Sequence, residues 1–301
     1  MDQIDKSGYP LTTQIGFRKV GKTIVLELNK KSLVSNMQGD ESAFEGWSLC
    51  ILANNPADYN KIRIVWTPLD INNLTPAEFG HYYRFLFRAY KFQCNYPSLV
   101  EVQPAIETVF DANECKRWVL NYPKNVSAEP DNKDENAEAN IERALLKIMN
   151  GHFDYCDHQL PVGLFLDEVK KINARSSGGK SMIDLWSVKD NIINIYELKN
   201  DVNEEVGIIS ELLFYTNVMD NFRRHVFNYP ASFVMKRVFY RHSKELYNDI
   251  VNNRISAVKG IFLANNLHPR ITDGVIELMN TNIAGIHYSK QSVNDFKTSL
   301  E

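Results

Sequence analysis

Cysteine is scarce. Cys50, Cys94, Cys115 and Cys156 are the four in 301 residues, and no two form a C-x-x-C pair. That spacing argues against a zinc ribbon or a disulfide framework and suits reduced thiols. No apolar run approaches the roughly 20 residues that a membrane-spanning helix needs. The opening Met-Asp-Gln-Ile-Asp-Lys lacks the basic and apolar regions of a secretory signal. A cytoplasmic location is therefore the expectation. A net basic charge is missing too: 34 Lys and Arg stand against 37 Asp and Glu, a formal −3. Nucleic-acid binding would need a local patch. What remains is an ordinary globular composition, 44% hydrophobic and 24% charged, long enough for two domains or one large one.

Residues 1–125 read as a smaller N-terminal α/β domain. Thr12 to Val20 and Thr23 to Leu28 form a hairpin around Gly21-Lys22. Ser42 to Ala53 suits a short helix, and Lys61 to Thr67 alternates like a strand that stops at Pro68. Thr75-Pro-Ala-Glu78 is a capping box with proline at the first helical position, opening a helix to about Gln93. Its aromatic side (Phe79, Tyr82, Phe85, Leu86, Ala89) faces a core. Arg84, Arg88 and Lys91 then form a solvated stripe or, alternatively, a phosphate contact. A shorter helix is expected over Ala112 to Leu120. No catalytic signature precedes residue 120. The stretch Pro123 to Asn136 is polar and acidic, and residues 126–136 read as a linker to a second domain over 137–301.

In that second domain Ala137 to Asn150 reads as an amphipathic helix closed by Gly151, with Ile141, Ala144, Leu145, Ile148 and Met149 as its apolar stripe. Glu138 and Glu142, four apart, share one side. Leu160 to Leu166 suits a first core strand. His152, Asp154, Cys156, Asp157 and His158 before it match no zinc spacing and read as loop residues. Ala174 to Ser181 fits a relaxed phosphate-loop pattern, but strands follow instead of a helix. A flexible loop is the better reading, with nucleotide binding through 178–181 as a rival. Glu204 to about Arg224 suits a helix capped by Asn203. Residues 221–244 hold Arg223, Arg224, Lys236, Arg237, Arg241 and Lys244 without an acid, the one locally basic stretch. It could meet phosphates or pair with the chain's own acids. Val258 to Ala264 is a buried strand, 271–280 a short helix and Ile283 to Tyr288 a last strand.

The stretch Ser181 to Lys199 organises the rest. Its two arms are rich in Ile, Val, Trp and Tyr and are interrupted by Lys189-Asp190-Asn191. With a two-residue Asp190-Asn191 turn, Lys189 faces Ile192 and Asp184 lies opposite Glu197. Alternation puts Lys199 on the face of Glu197. Two carboxylates and a lysine on one sheet face suggest a hard-cation site for Mg²⁺ or Mn²⁺, whose bound water an ammonium could orient. An exposed hairpin with solvated charges is the competing reading.

Asp184-(x12)-Glu197-x-Lys199 on a hairpin resembles the PD-(D/E)XK nuclease superfamily, with Ile183 where that family often has proline. The order of elements from 137 to about 290 resembles its restriction-endonuclease-like αβββαβ core. The resemblance implies a C-terminal domain that hydrolyses phosphodiester bonds in DNA or RNA. Asp184 and Glu197 would hold the metal, with the Leu198 carbonyl as a further ligand, and Lys199 would orient water and stabilise developing charge. It further implies a supporting glutamate on the preceding helix, for which Glu142 is the candidate. Many members carry a glutamine and a tyrosine four apart on the following helix; here the pair is Glu211 and Tyr215. Arg223, Arg224, Lys236, Arg237 and Arg241 would meet nucleic acid. A homodimer would let two sites cut both strands. The rival on the same fold binds nucleic acid or a protein without cutting.

Overall fold

The computed structural model describes residues 10–122, 137–176, 181–199, 205–231, 242–281 and 284–300. The chain begins with β1 (Gly16–Val20), β2 (Thr23–Leu28), α1 (Lys30–Val34), α2 (Phe44–Asn54), β3 (Lys61–Trp66), α3 (Pro76–Asn95), β4 (Val100–Gln103) and β5 (Trp118–Leu120). After the expected linker, residues 126–136, which lies outside the described residues, come α4 (Ala137–Met149), β6 (Tyr155–Pro161), β7 (Leu164–Leu166), β8 (Met182–Lys189) and β9 (Ile192–Leu198). The last elements are α5 (Gly207–Arg223), α6 (Ser243–Val251), β10 (Ala257–Leu263), α7 (Asp273–Met279), β11 (Ile286–Gln291) and α8 (Val293–Leu300).

Strands β1 to β4 form one sheet in sequence order, antiparallel at β1–β2 and parallel thereafter. The Gly21-Lys22 turn closes the first hairpin, with Gly21 in the left-handed region at φ 59. The capping box of α3 is formed by Thr75 and Glu78 with Pro76 in the first turn. The second sheet has the order β11-β10-β9-β8-β6: β6, β8 and β9 are antiparallel, whereas β9, β10 and β11 run parallel. Helices α5 and α6 make the crossover from β9 to β10, and α7 that from β10 to β11, as parallel neighbours require. Among the described residues no helix is long and apolar enough to cross a membrane.

Helix α5 is the pillar between the sheets. Every residue from Gly207 to Phe222 is buried, as for a helix enclosed on all sides. One hydrophobic cluster runs from Leu26 and Phe44 through Phe87 and Phe214 to Val258 and Tyr288. The boundary expected near residue 125 therefore separates two sheets but not two cores. A second cluster lies on the other face of the β6–β11 sheet, where Leu145 and Met149 of α4 and Phe296 of α8 cover Leu185, Tyr196 and Leu198. The join between the halves is close enough to demand glycine. A Cβ on Gly207 would stand 1.6 Å from the Gln38 carbonyl oxygen, and one on Gly46 would stand 2.5 Å from that of Val206.

Several expectations are corrected. Arg84 and Arg88 do not form a solvated stripe: they are 2% and 3% exposed. Arg88 forms a buried bidentate ion pair with Glu45, whose Oε2 also accepts from Ser210 of α5 at 2.8 Å. Residues 112–120 do not form one helix. The Asp111 side chain starts a 3₁₀ turn over Ala112–Arg117, and the alternation of buried Trp118 and Leu120 then makes β5, paired antiparallel to β7. The first core strand is Tyr155–Pro161, not 160–166, so Cys156, Asp157 and His158 lie on a strand. Ala144 is exposed, and Leu146 joins the packed side of α4 in its place. Helix α5 starts at Gly207 behind Val206, where it meets Gln38, rather than at Glu204; Asn203 and Glu204 lie outside the described residues.

Candidate active site

The β8–β9 hairpin has the register its turn chemistry demands. Asp190 and Asn191 both take positive φ, 51 and 63, in a two-residue turn that splits Lys189 from its partner Ile192. The ladder runs outward to Leu185 opposite Tyr196. One step further, Asp184 meets Glu197, and the Leu198 N–H reaches Asp184 Oδ2 at 3.4 Å. Ile193 and Ile195, on the face of Glu197, pack in the cluster that contains α5, while Tyr196 and Leu198 bury on the opposite face. The carboxylate of Glu197 and the ammonium of Lys199 thus point to the α5 side.

There they meet a compact polar group. Lys199 Nζ donates to Glu197 Oε1 at 2.6 Å and lies 3.8 Å from Glu211 Oε2 and 3.9 Å from Glu138 Oε1. The Tyr215 hydroxyl donates to Glu211 Oε1 at 2.7 Å, so the pair one helical turn apart acts as a unit. Gln38, from the segment after α1, donates its amide to both Glu211 oxygens at 2.6 and 2.7 Å. Its own carbonyl accepts from Asn36 Nδ2 at 2.9 Å, which sets the amide's orientation.

Glu142, expected beside the hairpin acids, turns away. It pairs with His158 and accepts from Gln159 Nε2 at 2.7 Å, both on β6. Glu138, one turn earlier on the same side of α4, approaches Lys199 instead. Glu142 is still close enough for its charge to act on Asp184.

Burial dominates the electrostatics. It lifts the Asp184 carboxyl from 3.8 to about 7, Lys199 opposing while Glu211, Glu138 and Glu142 add to it. Burial and then Glu211 hold Glu197 well above the usual carboxylate range. Burial also raises Glu138. For Lys199 burial acts downward, but Glu197 and Glu211 outweigh it and keep the ammonium charged. Burial, followed by Glu211, pushes up the Tyr215 phenol, so it stays a donor at neutral pH. Acids confined together repel, and the lysine relieves that only in part.

No family model matches the chain. No curated protein and no solved structure matches it either.

The acidic donors suit a hard cation more than a soft one. Among the described residues no three His, Cys, Asp or Glu side chains converge on one point. Glu197 Oε2, however, is buried without a hydrogen-bond partner. A buried carboxylate oxygen with nothing to bind is costly, and a cation between Glu197 and Asp184 would satisfy it. Mg²⁺ is commonly held by one or two carboxylates and several waters, so this pair fits.

Arg223 and Arg224, the described cations of the basic stretch, are not at this site. Arg223 and Arg224 both bind Asp220, at 2.6 and 3.3 Å, near the C-terminal end of α5. Their distance along the helix from Glu211 is about 18 Å at 1.5 Å per residue. Lys236, Arg237 and Arg241 lie outside the described residues, as do residues 177–180 of the phosphate-loop pattern. What adjoins the site is a cleft of about 1190 Å³, lined by Gln38 and the start of α3 on one side and by Asp184, Glu211 and Tyr215 on the other. Gln38 and Glu138 are the site residues that sequence reasoning missed. Glu138 shared its helix side with Glu142, whereas no local signal singles out Gln38.

Proposed function

We propose that the chain is a metal-dependent phosphodiesterase acting on nucleic acid, with a restriction-endonuclease-like domain after residue 137. The observation that carries this reading is the hairpin itself: Asp184 opposite Glu197, with Lys199 bonded to Glu197 on the same face. The succession α4, β6, β8, β9, α5, β10 supports it, since the antiparallel meander joined to a parallel strand is the αβββαβ order of that fold.

Asp184 and Glu197 would hold Mg²⁺ or Mn²⁺, with the Leu198 carbonyl as a further ligand; the cation would acidify water and offset charge on the phosphate. Lys199 is held protonated by Glu197 and Glu211. It is therefore suited to donate to a phosphate oxygen or orient a nucleophile, and unsuited to take a proton as a base. Glu211, anchored by Gln38 and Tyr215, keeps that ammonium charged and in place.

Incubating DNA and RNA with the protein in Mg²⁺ and in Mn²⁺ tests the reading. Cleavage is expected for the wild type and is lost in Asp184→Ala and Lys199→Ala, with circular dichroism unchanged. Wild-type rates in either variant would sink it. Among the described residues no three His, Cys, Asp or Glu side chains converge, which favours a second reading, a protein that binds nucleic acid without cutting. Metal-independent affinity without cleavage is its signature.

A further inference from the structure

Arg223 and Arg224 pair with Asp220 at the far end of α5 from Glu211, and the cleft has cations of its own. Lys170 and Lys171 line it together with Asp184. They stand at the start of a 3₁₀ turn, Lys171–Asn173, that projects Ile172 into solvent. Ile172, next to Lys171 but outside the cleft lining, is 86% exposed, more than any other large hydrophobic side chain described, and Met182, which lines the cleft, is 38% exposed. Lys170 rests on Glu168 at 2.5 Å, with both side chains more than half exposed. Such a surface pair is worth little in water and exchanges readily for a phosphate.

The acidic cluster is recessed. Glu197 is 1% exposed, and Glu211 and Tyr215 are 3% exposed. A phosphodiester has to come down into the cleft to reach them. A single strand bends to do so. A duplex keeps its phosphates on the outside of a rod that is stiff over about 150 base pairs, and would have to be kinked or unpaired.

We propose that the cleft takes a single strand of nucleic acid, with Lys170 and Lys171 on its phosphates and Ile172 and Met182 against its sugars and bases. This rests on the nuclease reading of the acidic cluster and names its substrate class and entry path. Lysines position the backbone without reading sequence, and exposed apolar side chains gain from covering the sugars and bases that a single strand leaves open to water.

The test is anisotropy of a labelled strand of about 12 nucleotides and of its matched duplex, with the full chain in EDTA, where no metal-dependent cutting proceeds. Salt is varied from about 50 to 200 mM. For a single strand each phosphate contact contributes about 0.7 to the slope of log affinity against log salt, so Lys170→Ala/Lys171→Ala should flatten it by about 1.4. Lys22→Ala, in the remote β1–β2 turn, should leave it unchanged. Ile172→Asp should weaken binding about tenfold, and the strand should bind about tenfold more tightly than the duplex, each about 1.4 kcal/mol. An unaltered slope in the double variant, equal or tighter duplex binding, or no binding by the wild type would each overturn the inference. A parallel cleavage assay in Mg²⁺ and Mn²⁺ separates the two ideas. The expected binding pattern without cutting leaves the strand site standing and removes the nuclease. Cutting with an unaltered slope does the reverse.

Discussion

Removing the charge of Asp184 should stabilise the protein. Its carboxyl titrates at about 7 in the fold, chiefly through burial, against an ordinary 3.8. The folded state therefore holds its proton more tightly than the unfolded chain. Between pH about 4 and about 7 the unfolded state ionises first, so stability falls as pH rises through that window and the full cost is present above it. The gap corresponds to about 4 kcal/mol at about 1.4 kcal/mol per tenfold. Asp184→Asn keeps an oxygen for the Leu198 N–H while mimicking the protonated form. In EDTA the variant should exceed the wild type by about 4 kcal/mol at pH 8 and by only about 2 at pH 5. Urea unfolding at both pH values measures this through the midpoints. An Asn variant less stable than wild type at pH 8, or an advantage of the same size at both pH values, would refute the electrostatic account of the cluster. Mg²⁺ at 100 times its dissociation constant should add about 2.7 kcal/mol to the wild type at pH 8, and nothing to the variant.

Three further perturbations probe how the first half of the chain completes the site. Gln38→Met removes both amide donors from Glu211; it should cost about 1.5–3 kcal/mol of stability, read by urea melts, and under the proposed nuclease reading it should lower kcat for cleavage with KM unchanged. Gly207→Ala places a Cβ 1.6 Å from the Gln38 carbonyl oxygen, an overlap with backbone that no rotamer relieves; a loss of more than about 3 kcal/mol is expected, and a thermal midpoint equal to wild type would contradict it. Glu45→Ala leaves the Arg88 guanidinium buried without its bidentate partner and should cost about 3–5 kcal/mol, whereas a Glu45→Met/Arg88→Met pair should recover most of that in the same melts.

Local chemistry made the hairpin legible and long-range packing hid its surroundings. Asp190-Asn191 tolerates the two positive φ values of a tight turn, so counting outward from it places Asp184 against Glu197 with no knowledge of the fold. Thr75-Pro-Ala-Glu78 and Gly151 likewise marked helix ends through interactions within a few residues. Where an outcome depended on distant partners, periodicity misled. Arg84 and Arg88 have the spacing of a solvated stripe, yet Glu45, 43 positions away, draws Arg88 into the core. Trp118 and Leu120 read locally as helix because the strand that pairs with them lies at 164–166. Glu138 and Glu142 are equivalent by spacing, and only His158 and Gln159 on β6 decide which of them is drawn away from Lys199.

Gln38 is the sharpest case, because its partner Glu211 is 173 residues away. Its position follows from neither propensity nor motif but from two glycines, Gly46 and Gly207, that let backbones touch where the halves meet. That contact has a chemical consequence. Glu211, one turn before Tyr215, receives its amide donor from Gln38 across the join. The carboxylate so held lies 3.8 Å from Lys199 and adds a negative charge that helps keep the ammonium protonated. A domain cut at residue 137 would retain Asp184, Glu197 and Lys199 but would lose the donor that sets Glu211, and would expose α5, buried along nearly its whole length. The first half of the chain is therefore better understood as one wall of the site than as an accessory to it.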